Sequence, residues 1–261
     1  MFLEGAASHR GSFLSAALKA PLPTLGRRGE RQLPRARRAL VGWQRLCPGF
    51  SRPPLAWAVV RGVATWLLQR GIPLMGLWCV VGACLCLRPG ESLAPRGMDF
   101  LPPTGQGAPT WSVHIRSREL GIQTKTRDFD DSVRWDVPEP QWVTQCFEKW
   151  RAAGDAKVWT FDSSDLAREF RRAAESLGAG DLAPCSMRRV GASWGAAVGR
   201  RSLAEVQKRG RWRSRRSVAR HEKASQASKG VLKLRPDARR NMQCCDAGMQ
   251  LVSSRAAQVP W

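Results

Sequence analysis

The sequence predicts a mixed α+β fold that is mainly helical and contains a small antiparallel sheet. Apolar residues recur at helical spacing from Leu55 to Gln69 and again from Asp165 to Leu177. Between these helices, apolar and polar residues alternate around Val113 and around Val133, which is typical of half-buried strands. The chain has 261 residues, of which 43% are hydrophobic, so we expect one large domain or two small ones with a substantial core.

The N-terminal segment, residues 1–38, is rich in Arg, Pro, Gly and Ser and has little apolar periodicity. We therefore expect it to be mostly disordered and basic. Residues 39–54 predict one short helix followed by a Pro-rich linker. The main domain is expected over 55–233, and residues 234–261 lose any pattern and predict an irregular tail.

An uncharged stretch extends from Ile72 to Leu87. A membrane-spanning helix needs about twenty apolar residues, and this stretch is shorter, so a buried core helix is favoured over a membrane segment. Arg88 follows it directly, in the sequence Leu87-Arg88-Pro89-Gly90-Glu91. An arginine at the end of an apolar helix is often no more than an ordinary cap.

Two short strands are predicted at residues 111–115 and 133–137, where apolar side chains alternate with polar ones. Lys125 lies in the turn between them, and a solvent-facing lysine is one explanation for it. The same turn holds an acidic cluster, Asp128, Asp130 and Asp131. Exposed carboxylates in a turn usually stay solvated, and we predict neither a metal ion nor a cofactor.

Further helices are predicted in the C-terminal half, at 141–153, at 165–177, around Arg188, after Ser202 and around 217–227. Asp162 to Ser164 supply capping groups for the second of these, and Gly178 ends it. Ser202 and Glu205 form an S-x-x-E capping box, which starts a short helix that Gly210 ends.

The most specific motif extends from Ala183 to Lys223, APCSMRRVGASWGAAVGRRSLAEVQKRGRWRSRRSVARHEK. It resembles the C-terminal catalytic motif of tyrosine recombinases, the phage-integrase family. That family has a P-H-x-L-R-H-like box that opens a helix, then a G-H/R-H/W signature, then a nucleophilic tyrosine on the next helix. Arg188 matches the family's second arginine, and Gly210-Arg211-Trp212 matches the signature.

The resemblance extends upstream and implies roles for two further residues. The Leu87 to Glu91 sequence resembles the box of the first catalytic arginine, which would be Arg88. Residues 121–136 resemble the family's small sheet with its turn lysine, which would be Lys125. The resemblance also implies that 55–233 is the catalytic domain and that 39–54 is the remnant helix and linker of a core-binding domain.

Two positions depart from the family's pattern. Cys185 stands in place of the histidine, and His221, nine residues after Trp212, stands in place of the tyrosine. The chain contains no tyrosine at all, so it cannot form the phosphotyrosyl intermediate that defines the family. The resemblance therefore implies a degenerate recombinase domain that binds DNA and is catalytically inactive as a strand transferase.

In the resembled family, two arginines hold the scissile phosphate because a guanidinium fork matches its oxygens. The lysine protonates the leaving 5′ oxygen, and the tyrosine attacks phosphorus. By this match, Arg88, Lys125, Arg188 and Trp212 keep the phosphate-binding half of the site. Cys185 and His221 mark where the other half is lost.

The charge balance favours a polyanionic partner. The net charge is +22 and the sequence pI is about 11.3, and each Lys or Arg that neutralises a phosphate releases counterions. We expect double-stranded DNA as the partner, with an oligomer on DNA allowed, and neither a small-molecule substrate nor a membrane. The expected location is the nucleus in a eukaryote, or otherwise the cytoplasm or nucleoid. Candidate nucleic-acid-binding residues are Arg200, Arg201, Lys208, Arg209, Arg211 and Arg213.

Two other interpretations remain open from the sequence. One is a small basic membrane protein anchored by 72–87, with its flanks at an anionic surface. The other is an unselected remnant of a mobile element that has no present activity. Sequence alone does not separate a repurposed DNA-binding protein from such a remnant.

Overall fold

The chain divides into two compact units, Met1–Arg52 and Pro53–Trp261, which are described separately. The computed structural model describes residues 7–25, 33–47, 56–105, 107–115, 132–137, 141–180, 182–221, 231–232 and 234–243.

The first unit is a pair of helices, α1 (Ser8–Lys19) and α2 (Pro34–Leu46), with a single 3-10 turn at Pro23–Leu25. The structure differs here from the mostly disordered segment that the sequence predicted over 1–38. Two local features favour this pair of helices. Pro34 starts α2, where its fixed φ suits a first helical position. Gly11 lets α1 approach α2 closely, since a Cβ there would lie 2.5 Å from the Trp43 ring.

The second unit is built around α3 (Trp57–Gln69) and α4 (Pro73–Cys84), which pack against each other. Gly71, with φ of +75°, makes the tight connection between them. Every residue of α4 after Pro73 is buried, so the prediction of a core helix is confirmed. Among the described residues, no helix is both long and apolar enough to cross a membrane.

Seven further helices of the second unit are described: α5 (Pro89–Leu93), α6 (Thr144–Ala152), α7 (Ser163–Leu177), α8 (Ser186–Ala197), α9 (Leu203–Arg209), α10 (Arg215–His221) and α11 (Pro236–Gln243). Short 3-10 turns lie at Gly97–Asp99 and Gln141–Val143. α8 packs on α4, whereas α7 and α11 pack on α3.

The predicted helix ends of α7 and α9 are confirmed. The Asp162 side chain accepts hydrogen bonds from the backbone N–H groups of Ser164 and Asp165, and Gly178 adopts the left-handed conformation at the other end. Ser202 and Glu205 form the expected capping box. These ends were predictable because capping depends on residues within four positions of one another.

α11 corrects the prediction of an irregular tail from residue 234. Leu234 and Ala238 are buried against the core of the second unit. The helix itself is mostly polar, so tertiary anchoring rather than an apolar period fixes it. The final motif helix, α10, was expected to reach residue 227, and residues 222–230 lie outside the described part of the chain.

The sheet is antiparallel, with strand order β1 (Phe100–Leu101), β2 (Ser112–His114), β3 (Ser132–Arg134). Val113 pairs with Val133 across the two predicted strands, while the two-residue β1 was not predicted. α6 covers the sheet through Phe147, whose ring centroid lies 5.0 Å from Trp135 and 4.8 Å from Phe100. The described chain is thus mainly helical with a small antiparallel sheet, as predicted.

Candidate functional site

Arg188 lies in the first turn of α8 and is buried. Its Nη1 donates a hydrogen bond of 2.8 Å to the carbonyl of Cys86, and its Nη2 donates to the carbonyl of Gly210. The Trp212 ring covers the guanidinium, with 4.6 Å between its centroid and Cζ. Arg188 therefore joins the segment after α4 to the turn after α9.

Glu91, on the short helix α5, lies close to three arginine side chains. Its carboxylate accepts hydrogen bonds from the side chains of Arg88 and Arg211, and its Oε2 lies 3.8 Å from Arg188 Nη1. The backbone N–H of Arg88 donates to the same Oε2 at 2.9 Å. We call Arg88, Glu91, Arg188 and Arg211 the arginine cluster.

The arginine cluster has three arginines and one carboxylate, and this excess of positive charge shifts the pKa values of its members. Burial alone would raise the pKa of Glu91, but the charges of Arg211, Arg88 and Arg188 and the hydrogen bond from the Arg88 backbone lower it below its ordinary value. Burial, together with the charges of Arg88 and Arg211, lowers the pKa of Arg188 to about 10. Arg188 is therefore still protonated at neutral pH.

The backbone is strained on both sides of the cluster. Cys86 and Arg211 are the two described non-glycine residues with positive φ, 51° and 50°. Such conformations cost of order 1–3 kcal/mol and persist where the surroundings fix them. Here the Arg188 side chain binds the carbonyls of Cys86 and Gly210, so one side chain holds both strained segments.

One hydrogen-bond donor of the arginine cluster is unused in the described structure. Arg211 Nη1 is buried and has no hydrogen-bond partner within the described structure. The Arg88 side chain is 25% exposed, so it is the part of the cluster that solvent reaches most. Arg188 donates both terminal nitrogens to main-chain carbonyls, which makes it a positioning residue more than an open ligand.

A small apolar cluster of Ala192, Val206, Trp212 and Val218 holds α8, α9 and α10 together. Its packing fixes Trp212 over Arg188. His221 is the last residue of α10, and its side chain lies outside the described part. Cys185 is half-buried and immediately precedes α8, one turn from Arg188.

The remaining residues predicted from the sequence have no described position. Lys125 and the aspartates Asp128, Asp130 and Asp131 lie in 116–131, outside the described residues. Among the residues that are described, no group of three or more His, Cys, Asp or Glu side chains is placed to hold a metal ion.

A second charged feature lies beside β3. It is a groove with a volume of about 510 Å³, between β3 and the segment from the end of α8 to α9. We call it the basic groove, and its lining residues are Ser132, Val133, Arg134, Asp136, Arg200, Arg201, Glu205, Lys208 and Arg209. Among these described residues five are cationic and two are acidic, so this part of the lining attracts anions.

Asp136 organises two arginines of the basic groove. Its Oδ1 lies 2.6 Å from Arg201 Nη2 and 2.7 Å from Arg209 Nη1. Arg209 also donates from Nε and Nη2 to the carbonyl of Cys84, at 3.0 and 2.7 Å. The groove wall is therefore tied to the end of α4, two residues before the strained Cys86.

The six candidate nucleic-acid-binding residues fall into separate environments. Four of them, Arg200, Arg201, Lys208 and Arg209, line the basic groove. Arg213 is exposed outside the groove lining. Arg211 is buried and bound to Glu91, so it belongs to the arginine cluster and does not form part of an open surface.

The contacts of Glu91 and Asp136 and the position of Arg134 in the groove were not predicted from the sequence. The three-residue spacing between Arg88 and Glu91 was a usable signal for the first, because residues three apart meet on one helix face. No local signal marked Asp136, whose partners lie 65 and 73 positions away along the chain.

The site can therefore be described by its own chemistry: a buried, strained cluster of arginines around one carboxylate, with an open basic groove beside it. The arginine cluster brings together Arg88 and Arg188, which lie about 100 positions apart in the sequence, and Trp212 covers Arg188. Comparison with known proteins gave no match: no protein-family model, curated protein or solved structure is similar to this chain.

Proposed function

We propose that this chain is a DNA-binding protein derived from a tyrosine recombinase, and that it lacks strand-transfer activity. The observation that carries the proposal is the meeting of Arg88, Arg188 and Trp212 around Glu91. These are the residues that the motif resemblance assigns to the phosphate-binding half of a recombinase site. The mainly helical fold with a small antiparallel sheet is compatible with a recombinase-like catalytic domain.

The chemistry of the cluster suits a phosphodiester. Guanidinium groups match phosphate oxygens in a bidentate manner and remain charged at neutral pH. Arg88 offers the most solvent-accessible guanidinium of the cluster, and the buried Arg188 and Arg211 add positive charge around the same carboxylate. Positive charge in excess of Glu91 is then balanced when a phosphate approaches.

The chain lacks the residue that would turn phosphate binding into strand transfer. Without a tyrosine there is no nucleophile to form the 3′ phosphotyrosine, and His221 occupies that position. Cys185 replaces the histidine that would manage protons one turn before Arg188. Bound DNA should therefore leave this protein with both strands intact.

Duplex binding can be tested with the full chain and a fluorescent duplex, by anisotropy over a range of salt concentrations. We expect affinity that falls steeply with salt, because phosphate contacts release counterions. Arg88→Ala should weaken binding more than Arg171→Ala, which removes an exposed arginine of α7 that is not part of the cluster. A flat plot of log affinity against log salt would contradict the proposal.

Two further measurements address the open interpretations. Thermal unfolding followed by circular dichroism should show one cooperative transition of the second unit that duplex DNA shifts upward, because a ligand of the native state stabilises it. A broad transition that DNA does not move would favour an unselected remnant. Supercoiled plasmid should stay intact with the wild type, and the double variant His221→Tyr with Cys185→His tests whether nicking can be restored.

A further inference from the structure

The basic groove has a size and lining that indicate the class of its ligand. Its volume of about 510 Å³ lies in the range of ligand-sized clefts, roughly 300–1,000 Å³. Small-molecule clefts are mostly apolar, whereas seven of the nine described residues that line this groove are charged. A chain of anionic groups suits it better than a compact apolar molecule.

The cations of the groove come from three elements that converge on one space. Arg134 ends β3, Arg200 and Arg201 precede α9, and Lys208 and Arg209 lie in its last turn. The Arg200 guanidinium is held over Trp194, with 5.1 Å between Cζ and the ring centroid. Several cations that line one open groove can contact more than one phosphate of a nucleic-acid backbone.

Asp136 occupies the position that a phosphate would take between two of these cations. Its Oδ1 accepts from Arg201 and lies 2.7 Å from Arg209 Nη1, so one oxygen bridges two guanidiniums. The Arg209 side chain stays in place without Asp136, because its Nε and Nη2 donate to the carbonyl of Cys84. Neutralising Asp136 would therefore remove the negative charge that competes for these two guanidiniums, while the Arg209 side chain stays held by Cys84.

We propose that the basic groove binds the phosphodiester backbone of duplex DNA, and that Asp136 competes with a phosphate for Arg201 and Arg209. This inference rests on the proposed function and assigns its backbone contacts to a groove separate from the arginine cluster. The groove then sets affinity without reading bases, and Asp136 limits that affinity.

The experiment uses the full chain and a 20-base-pair fluorescent duplex, with affinities measured from 50 to 300 mM salt. Arg134→Ala and Lys208→Ala should each weaken binding about threefold to tenfold and reduce the salt slope by about 0.9. Both side chains are exposed, so the variants should fold normally. The matched control is Arg171→Ala, which removes one exposed charge from α7 and should change affinity by less than about twofold.

The Asp136 variant should act in the opposite direction. Asp136→Asn should strengthen binding about threefold and steepen the salt slope, because a neutral side chain no longer competes with a phosphate for the charges of Arg201 and Arg209. Its control is Asp155→Asn, which changes the net charge equally at an exposed residue that does not line the groove. That control should have less than half the effect.

The outcomes separate this inference from the proposed function. If the wild-type chain does not bind duplex DNA, the proposed function fails. If it binds but Arg134→Ala and Lys208→Ala behave like Arg171→Ala, the groove assignment is overturned while DNA binding stands. If Asp136→Asn weakens binding or merely equals Asp155→Asn, the competition by Asp136 is overturned.

Discussion

The arginine cluster and the basic groove use the same arrangement, several arginines around one carboxylate, in two different surroundings. The Glu91 side chain is 15% exposed, whereas that of Asp136 is 45% exposed. A buried charge that loses its partner has no solvent to replace it, while a surface charge does. We therefore expect Glu91 to govern folding and Asp136 to govern what the groove binds.

The largest expected effect is that of Glu91→Gln. It leaves the buried Arg188 and Arg211 without a compensating charge and should lower the free energy of unfolding by about 3–5 kcal/mol. Urea unfolding followed by circular dichroism measures it. A loss below about 1 kcal/mol would place Glu91 in the same class as Asp136 and remove the contrast between the two regions.

Gly191→Ala tests the packing that sets up the cluster. A Cβ at Gly191 would lie 1.9 Å from the carbonyl oxygen of Ala83, so α8 would have to move away from α4 and carry Arg188 with it. We expect a loss of about 3 kcal/mol, at the upper end for overpacked cores. The matched control is Gly82→Ala, whose Cβ would meet the Trp78 ring at 3.9 Å, and it should be neutral or slightly stabilising.

The pH dependence of stability sharpens the comparison further. The pKa of Glu91 is lowered in the folded protein, so the unfolded chain binds its proton first as pH falls. Its stabilisation is complete above the unfolded pKa of about 4.3 and is lost as pH falls through the lower folded pKa. The difference in stability between wild type and Glu91→Gln should therefore shrink below about pH 4 in unfolding experiments. A difference that stays constant from pH 7 to pH 3 would contradict this role.

The smallest expected effect is that of Asp136→Asn on stability. Its side chain is 45% exposed, so water can take its place beside Arg201 and Arg209, and Arg209 keeps its bonds to Cys84. We expect a change below about 1 kcal/mol that salt reduces further. Thermal unfolding at low and high salt measures it, and a loss as large as that of Glu91→Gln would make Asp136 a structural residue of the second unit.

The sequence predicted those parts of the fold that depend on neighbouring residues. α4 follows from an uncharged stretch, and the ends of α7 follow from Asp162 and Gly178, each acting within a few positions. α11 was missed because two buried residues, Leu234 just before it and Ala238 within it, fix a mostly polar helix. Local propensity does not register such tertiary anchoring.

The candidate site was predicted only in part, for a related reason. Arg88, Arg188 and Trp212 were assigned together through the motif, and they lie together in the structure. Their shared partner Glu91 and the burial of Arg211 were not assigned, because which carboxylate pairs with which arginine is decided by the packing of α5 against the turn after α9. Asp136 was missed for the same cause.

The hydrogen bonds of Arg188 also bear on the order of folding. Its partners Cys86 and Gly210 are 102 and 22 positions away along the chain. The two hydrogen bonds therefore form together only after a long loop of the chain has closed. Loop closure of that length is entropically costly and slow. We expect these two hydrogen bonds of Arg188 to form after the folding transition state. Their loss should therefore speed unfolding and leave the refolding rate almost unchanged. Arg188 would then act chiefly by slowing the unfolding of the second unit. The folded arginine cluster would therefore persist longer than its equilibrium free energy of unfolding alone implies.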